Sequence, residues 1–195
     1  MKVARMILCC AVIAATPACT TLTTDTATTA KVEQGVPGGE YVQTTRLDAT
    51  VTAIDYSKRQ VGLVSKHGEN FVVEADSGVA NFNQIHVGDH LAVVLRETLL
   101  IRMAKPGEKL DEIAYVTGER ARRGAKPGAK ASGTSQYVAT VTAIDAKRRK
   151  ATLKFSDGSS GKFDIREDID LTKHHTGERV LMRNTQTLAV SMTKS

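Results

Sequence analysis

Between Leu47 and Ile54 the chain alternates: Leu47, Ala49, Val51 and Ala53 are separated by Asp48, Thr50, Thr52 and Ile54, the period of two that a half-buried β-strand requires. The polar run Asp55-Tyr56-Ser57-Lys58-Arg59 predicts a turn at its end. Residues 61–65 read as a second strand, His67-Gly68-Glu69-Asn70 as a hairpin turn and 71–74 as a third strand. Residues 76–87 are too irregular for a strand and predict one short helical turn around 81–85. Gly88 then supplies the positive φ that a tight turn can demand. Residues 91–96 and 99–103 predict two closing strands.

The pattern occurs twice. Residues 49–55 read Ala-Thr-Val-Thr-Ala-Ile-Asp, and residues 139–145 read the same. Lys58-Arg59 matches Arg148-Arg149, Leu63 matches Leu153, and Gly68 matches Gly158. After a one-residue deletion, Gly88-Asp89 matches Gly177-Glu178, Thr98-Leu99 matches Thr187-Leu188, and Met103 matches Met192. The repeated unit is roughly 60 residues long. Five short strands with a helical break between the third and fourth predict an OB-like barrel, whose closure removes exposed sheet edges. The expected fold is therefore mainly β: two tandem five-stranded OB-like small β-barrels, repeat 1 at 46–104 and repeat 2 at 135–195. Residues 105–134 read as a linker whose stretch 108–123 suits a short amphipathic helix or an added strand, the helix preferred.

Composition supports small modules. Four Phe, four Tyr and no Trp in 195 residues argue against one large aromatic-rich core, and three Cys exclude a disulfide scaffold. Lys and Arg number 27 against 21 Asp and Glu, a net charge of +6. Without Lys2 and Arg5 the excess is about +4, most of it after Ser135.

Those two residues belong to a leader. Lys2 and Arg5 precede an apolar run at 6–15 and then Thr16-Pro17-Ala18-Cys19, a charged n-region, a short h-region and a small-residue cleavage site. A spanning helix needs about 20 apolar residues, more than this run offers. Residues 1–18 are thus expected to be a signal peptide that removes Cys9 and Cys10, leaving Cys19 as the one cysteine of the mature chain. Residues 19–45, rich in Thr, read as a flexible tether. Ala18-Cys19 resembles the lipobox of bacterial lipoproteins, whose first mature residue is a lipidated cysteine. Thr16 departs from that family's usual Leu and leaves ordinary cleavage, and a soluble periplasmic or secreted protein, as the alternative. The resemblance implies a palmitate-type acyl anchor on Cys19. Thr20, where Asp would mark inner-membrane retention, implies the outer membrane, with the protein facing the periplasm.

The order of strands, basic turn and hairpin, ending in Ile85-His86-Val87-Gly88-Asp89 and two closing strands, resembles a family of uncharacterised proteobacterial envelope proteins with small β-barrel modules. More distantly it resembles the periplasmic silver- and copper-binding OB-fold chaperones. Those use a His, two Met and a Trp for soft cations. Here His67 lies near the first position, but Phe71-Val72-Val73-Glu74 carries no Met and the chain no Trp.

Four other histidines, His86, His90, His174 and His175, are weak candidates for Zn(II) or Cu(II), should their two loops meet. Gly88 separates His86 from His90 and favours a solvated turn. The basic run Lys147-Arg148-Arg149-Lys150 is the candidate contact for anionic lipid or polymer. Nucleic acid is disfavoured, because only Phe155 and Phe163 could provide a stacking platform and an exported protein rarely meets nucleic acid. No Gly-x-Ser-x-Gly, His-Glu-x-x-His, phosphate-binding Gly-rich loop or Cys/His pair occurs, and the repeated Asp55 and Asp145 suit turn residues that accept backbone hydrogen bonds. The sequence thus points to a non-catalytic envelope protein with two binding modules and no cofactor. Its expected partners are the membrane, through the lipid, and an envelope protein or anionic polymer. Metal handling and anionic-polymer binding are the alternatives.

Overall fold

The computed structural model describes residues 22–195, so the leader and Cys19 lie outside the described residues. The fold is mainly β. Ten antiparallel strands form one sheet: β1 (Asp25–Lys31), β2 (Gly38–Asp55), β3 (Gln60–Ser65), β4 (Asn70–Glu74), β5 (His90–Met103), β6 (Ile113–Arg120), β7 (Gly128–Asp145), β8 (Lys150–Phe155), β9 (Ser160–Asp164) and β10 (Arg179–Thr193). Their order is β4-β3-β2-β5-β10-β7-β8-β9, with β1 beside the first part of β2 and β6 beside the first part of β7. Single 3-10 turns at Phe82–Gln84 and Leu171–Lys173 follow β4 and β9, where a short helical turn was expected. Among the described residues no helix is long and apolar enough to cross a membrane.

Each copy of the repeat pairs its strands in the same register. Ala49 on β2 faces Leu91 on β5, and their counterparts Ala139 and Val180 face each other on β7 and β10. The two copies meet where β5 pairs with β10, Glu97 opposite Gln186. These two residues hold the same place in the repeat, so a pseudo-two-fold axis passes between them. Gln186 Nε2 donates to Glu97 Oε1 across it at 2.7 Å.

The structure departs from the expected architecture in four respects. The sheet does not close into barrels. Residues 91–96 and 99–103 form one unbroken strand, as do 180–184 and 188–192: neither Arg96-Glu97-Thr98 nor Asn184-Thr185-Gln186 contains Gly or Pro to turn the chain back. Each closing strand therefore runs on into the other half. Secondly, the expected tether contains β1 and the start of β2, and the expected linker, where the helix was preferred, contains β6 and the start of β7. Pro37-Gly38, where β2 begins, corresponds to Pro127-Gly128, where β7 begins, so the repeat is longer than the matched strings suggest.

Thirdly, a β-bulge between Val51 and Ala53, repeated between Val141 and Ala143, shifts the alternation by one residue. Ala49 and Val51 face inward, but beyond the bulge it is Ile54, not Ala53, that packs on the core. Lastly, the cores are not private to the repeats. The first core gathers Ala49, Val51, Val61, Leu63, Phe82 and Ile85, with Met192 from β10 packed against it. The second gathers Ala139, Val141, Leu153 and Val180, with Ile101 and Met103 from β5. Met103 and Met192 are equivalent residues, each partly buried against the core of the half opposite its own.

Candidate functional site

The repeated turn after β2 and β7 places the basic residues. Asp55 Oδ1 accepts from the backbone N–H of Ser57 and Lys58, both at 3.0 Å, and Asp145 Oδ1 from that of Arg148 at 2.9 Å. These bonds, led by the Ser57 hydroxyl at Asp55 and the Arg148 N–H at Asp145, hold both carboxyls below the usual aspartate range. The next residue adopts a left-handed conformation in both copies, φ 54° at Arg59 and 50° at Arg149. That backbone turns the guanidinium back beneath the irregular connection of its own half. Arg59 donates to the carbonyls of Ala75, Asp76 and Val79 at 2.9–3.1 Å and stacks on the Phe82 ring at 4.5 Å. Arg149 donates to the carbonyls of Arg166 and Ile169, while its Nε is buried without a partner among the described residues.

The four residues of the basic run therefore differ in what they touch. Arg149 is a structural clamp, Arg148 is paired to Asp145 at 3.0 Å and Lys150 to Asp164 at 2.6 Å. Of the four, only Lys147 has neither an ion-pair partner nor a side-chain hydrogen bond among the described residues.

The histidines do not converge. The loop carrying His86 docks on the turn between β6 and β7: Lys126 Nζ lies 3.0 Å from His86 Nδ1, donates to the Gln84 carbonyl at 2.7 Å and pairs with Asp89 at 2.5 Å. Burial of Asp89 opposes its ionisation, but the Lys126 ammonium and the His86 N–H outweigh it and hold the carboxyl low. His90 on β5 is exposed, 3.3 Å from Thr50 Oγ1. His67 lies 3.6 Å from Asp25 in the turn between β3 and β4. His174 Nδ1 is 3.1 Å from Glu178 Oε2, and His175, largely exposed, lies 3.7 Å from Oε1 of the same residue. Among the described residues no group of three or more His, Cys, Asp or Glu is placed to hold a metal ion.

The feature that sequence reading did not find is a cavity of about 210 Å³ in the second core. Its floor is Val141, Leu153, Val180 and Met182, joined by Ile101 and Met103 from the other half. The connection after β9 closes one side with Ile169, Leu171 and His174, and Phe163, 40% exposed, stands at the mouth. Arg166 frames the rim; it donates to the carbonyls of Glu33, Val36 and Gly38 at 2.7–2.9 Å and pairs with Asp168 at 2.9 Å.

At the place equivalent to this cavity the first half seats aromatic rings instead. Phe82 is 3% exposed, with the Tyr56 ring edge-on at 6.0 Å and the Tyr56 hydroxyl bonded to the Ile85 carbonyl at 2.8 Å. At the equivalent places the second half has Leu171, Ala146 and His174. Val61 in the first core is replaced by Ala151 in the second, and Phe71 by Gly161, over which the Phe163 ring lies. The signal lay in the positions where the two copies differ, not in those where they agree.

No family model, curated protein or solved structure matches the chain.

Proposed function

We propose that the chain is an exported, lipid-anchored protein of the outer membrane, facing the periplasm, that works as a non-catalytic binding module. Its site is the cavity of the second half, which takes a small, mostly apolar molecule. The leader at 1–18 and Cys19 support the location. The observation that carries the binding role is that the first core seats Phe82 against Tyr56, whereas the equivalent place in the second has Leu171 and Ala146 and lies beside the cavity. An under-packed core loses dispersion contacts and burial, and a bound apolar molecule would restore them.

Two measurements test the reading. Intact mass of the protein recovered from membranes is expected to show acylation at Cys19; an unmodified chain beginning there removes the anchor. For the cavity, the methyl resonances of Met103 and Met182, which line it, are expected to shift when benzene is added, while that of Met192 on the first core stays fixed. Equal movement of all three, or of none, rejects the site.

A further inference from the structure

We infer that the cavity selects a neutral, single-ring molecule carrying one hydroxyl donor, of the phenol class; this rests on the binding role proposed above. The size comes from the comparison within the molecule. The first half fills the corresponding space with the Phe82 ring and the Val61 methyls, where the second has Leu171 and Ala151; the Phe163 ring lies over Gly161, the counterpart of Phe71. What is missing is aromatic in outline, and a void of about 150 Å³ lined by Leu, Ile and Phe is known to accept benzene. At about 210 Å³ the second core has room for one ring with a small substituent.

The polar group comes from His174, which stands where the first half has Ile85. Its Nδ1 faces the Glu178 carboxylate at 3.1 Å, and the same carboxylate oxygen accepts the His175 backbone N–H at 3.2 Å. A carboxylate only accepts, so in the neutral ring the proton sits on Nδ1 and Nε2 is left as an acceptor. Among the described residues Nε2 has no protein partner and is open to solvent. A ligand hydroxyl would take the place of water there.

Charge argues for a neutral ligand. The two guanidinium groups at the rim are already committed, Arg102 to both oxygens of Glu108 at 2.6 and 2.8 Å, Arg166 to Asp168 and three carbonyls. A carboxylate on the ligand would lose its water, find no free cation, and lie near Glu178.

Phenol, benzene and benzoate titrated against the full chain, followed by the Met103 and Met182 methyl resonances, decide the matter. Phenol is expected to bind about tenfold more tightly than benzene, the worth of one good hydrogen bond, and benzoate more weakly than either. His174→Leu is expected to bring phenol down to the affinity of benzene while leaving benzene unchanged. Leu171→Phe, which restores the side chain of the first half, should abolish binding of both and guards against a His174 variant that fails to fold. Equal affinity for phenol and benzene, or a preference for benzoate, overturns the inference and leaves the cavity as a binding site. No shift with any of the three overturns both.

Discussion

Where the first half packs Phe82 against Tyr56 and Arg59, the second has Leu171, Ala146 and an arginine with no ring beneath it. Strand registers, the bulge, the left-handed arginine and the single 3-10 turn are nevertheless the same in both halves. The framework does not depend on how its cores are filled. Backbone ladders and the two guanidinium clamps hold the connections in place, and this frees one core to be under-packed.

The strongest way to break the comparison is to separate the halves. Because β5 and β10 pair along 14 residue positions, and Met103 and Met192 pack on opposite cores, neither half has a complete core alone. Chains of residues 22–104 and 105–195 are each expected to be unfolded, and mixing them to restore native strand signal. Dispersed amide spectra from either one alone would show that the exchange of closing strands is dispensable.

Next in size come the clamps. Arg59→Ala is expected to cost about 2–3 kcal/mol, since charged hydrogen bonds contribute about 1.5–3 kcal/mol. Arg149→Ala should cost about 1 kcal/mol less, because Arg149 lacks the aromatic face and has an unpartnered Nε. Glycine at either place should recover about 1 kcal/mol relative to alanine, as it adopts positive φ without penalty. Urea midpoints measure all four variants; equal losses at Arg59 and Arg149 would mean that the ring contributes nothing.

The arginines also show how far local pattern carries. The alternating string, the Asp55 and Asp145 turns, the hairpins at Gly68 and Gly158 and the tight turn at Gly88, with φ 92°, are short-range features governed by residue type, and all were legible. β1 and β6 were not. Their side chains are almost wholly exposed, so no buried face imposes a period on Thr26–Thr29 or on residues 113–120. The bulge hid the inward turn of Ile54. The destination of Met103 and Met192 depends on which strand β5 meets after Thr98, a long-range choice without a local signature. The cavity depends on single substitutions between copies, such as Phe82 against Leu171, which a search for matching positions passes over.

A smaller effect tests the packing contrast itself. Phe82→Leu imposes the second half's residue on the first and is expected to destabilise by about 1–2 kcal/mol, through lost burial and a new void. Leu171→Phe, the reverse exchange, is expected to be neutral or stabilising by up to about 1 kcal/mol, since space for the ring exists. Thermal unfolding of the pair decides: if Leu171→Phe destabilises as much as Phe82→Leu, the second core is not under-filled.

The smallest effect concerns the segment joining β5 to β6, for which the described first half has no counterpart. Glu108 pins that segment by accepting both Arg102 bonds and the Lys105 N–H at 2.9 Å, while Ser191 stands where the symmetry would place a second Arg102. Hydrogen bonding from Arg102, then from the Lys105 N–H, holds the Glu108 carboxyl down at about 2, against an ordinary 4.5. A carboxyl lowered by folding stabilises the native state above its unfolded value, and that contribution disappears as the pH falls from about 4.5 through about 2. Glu108→Gln should therefore melt below the parent at pH 7, with the gap closing over that window, whereas Ser191→Ala should show a gap independent of pH. Melting temperatures across pH 2–7 read this directly. A constant gap for Glu108→Gln would mean that the carboxylate holds the segment by shape alone, and that the two halves differ here in side chains but not in electrostatics.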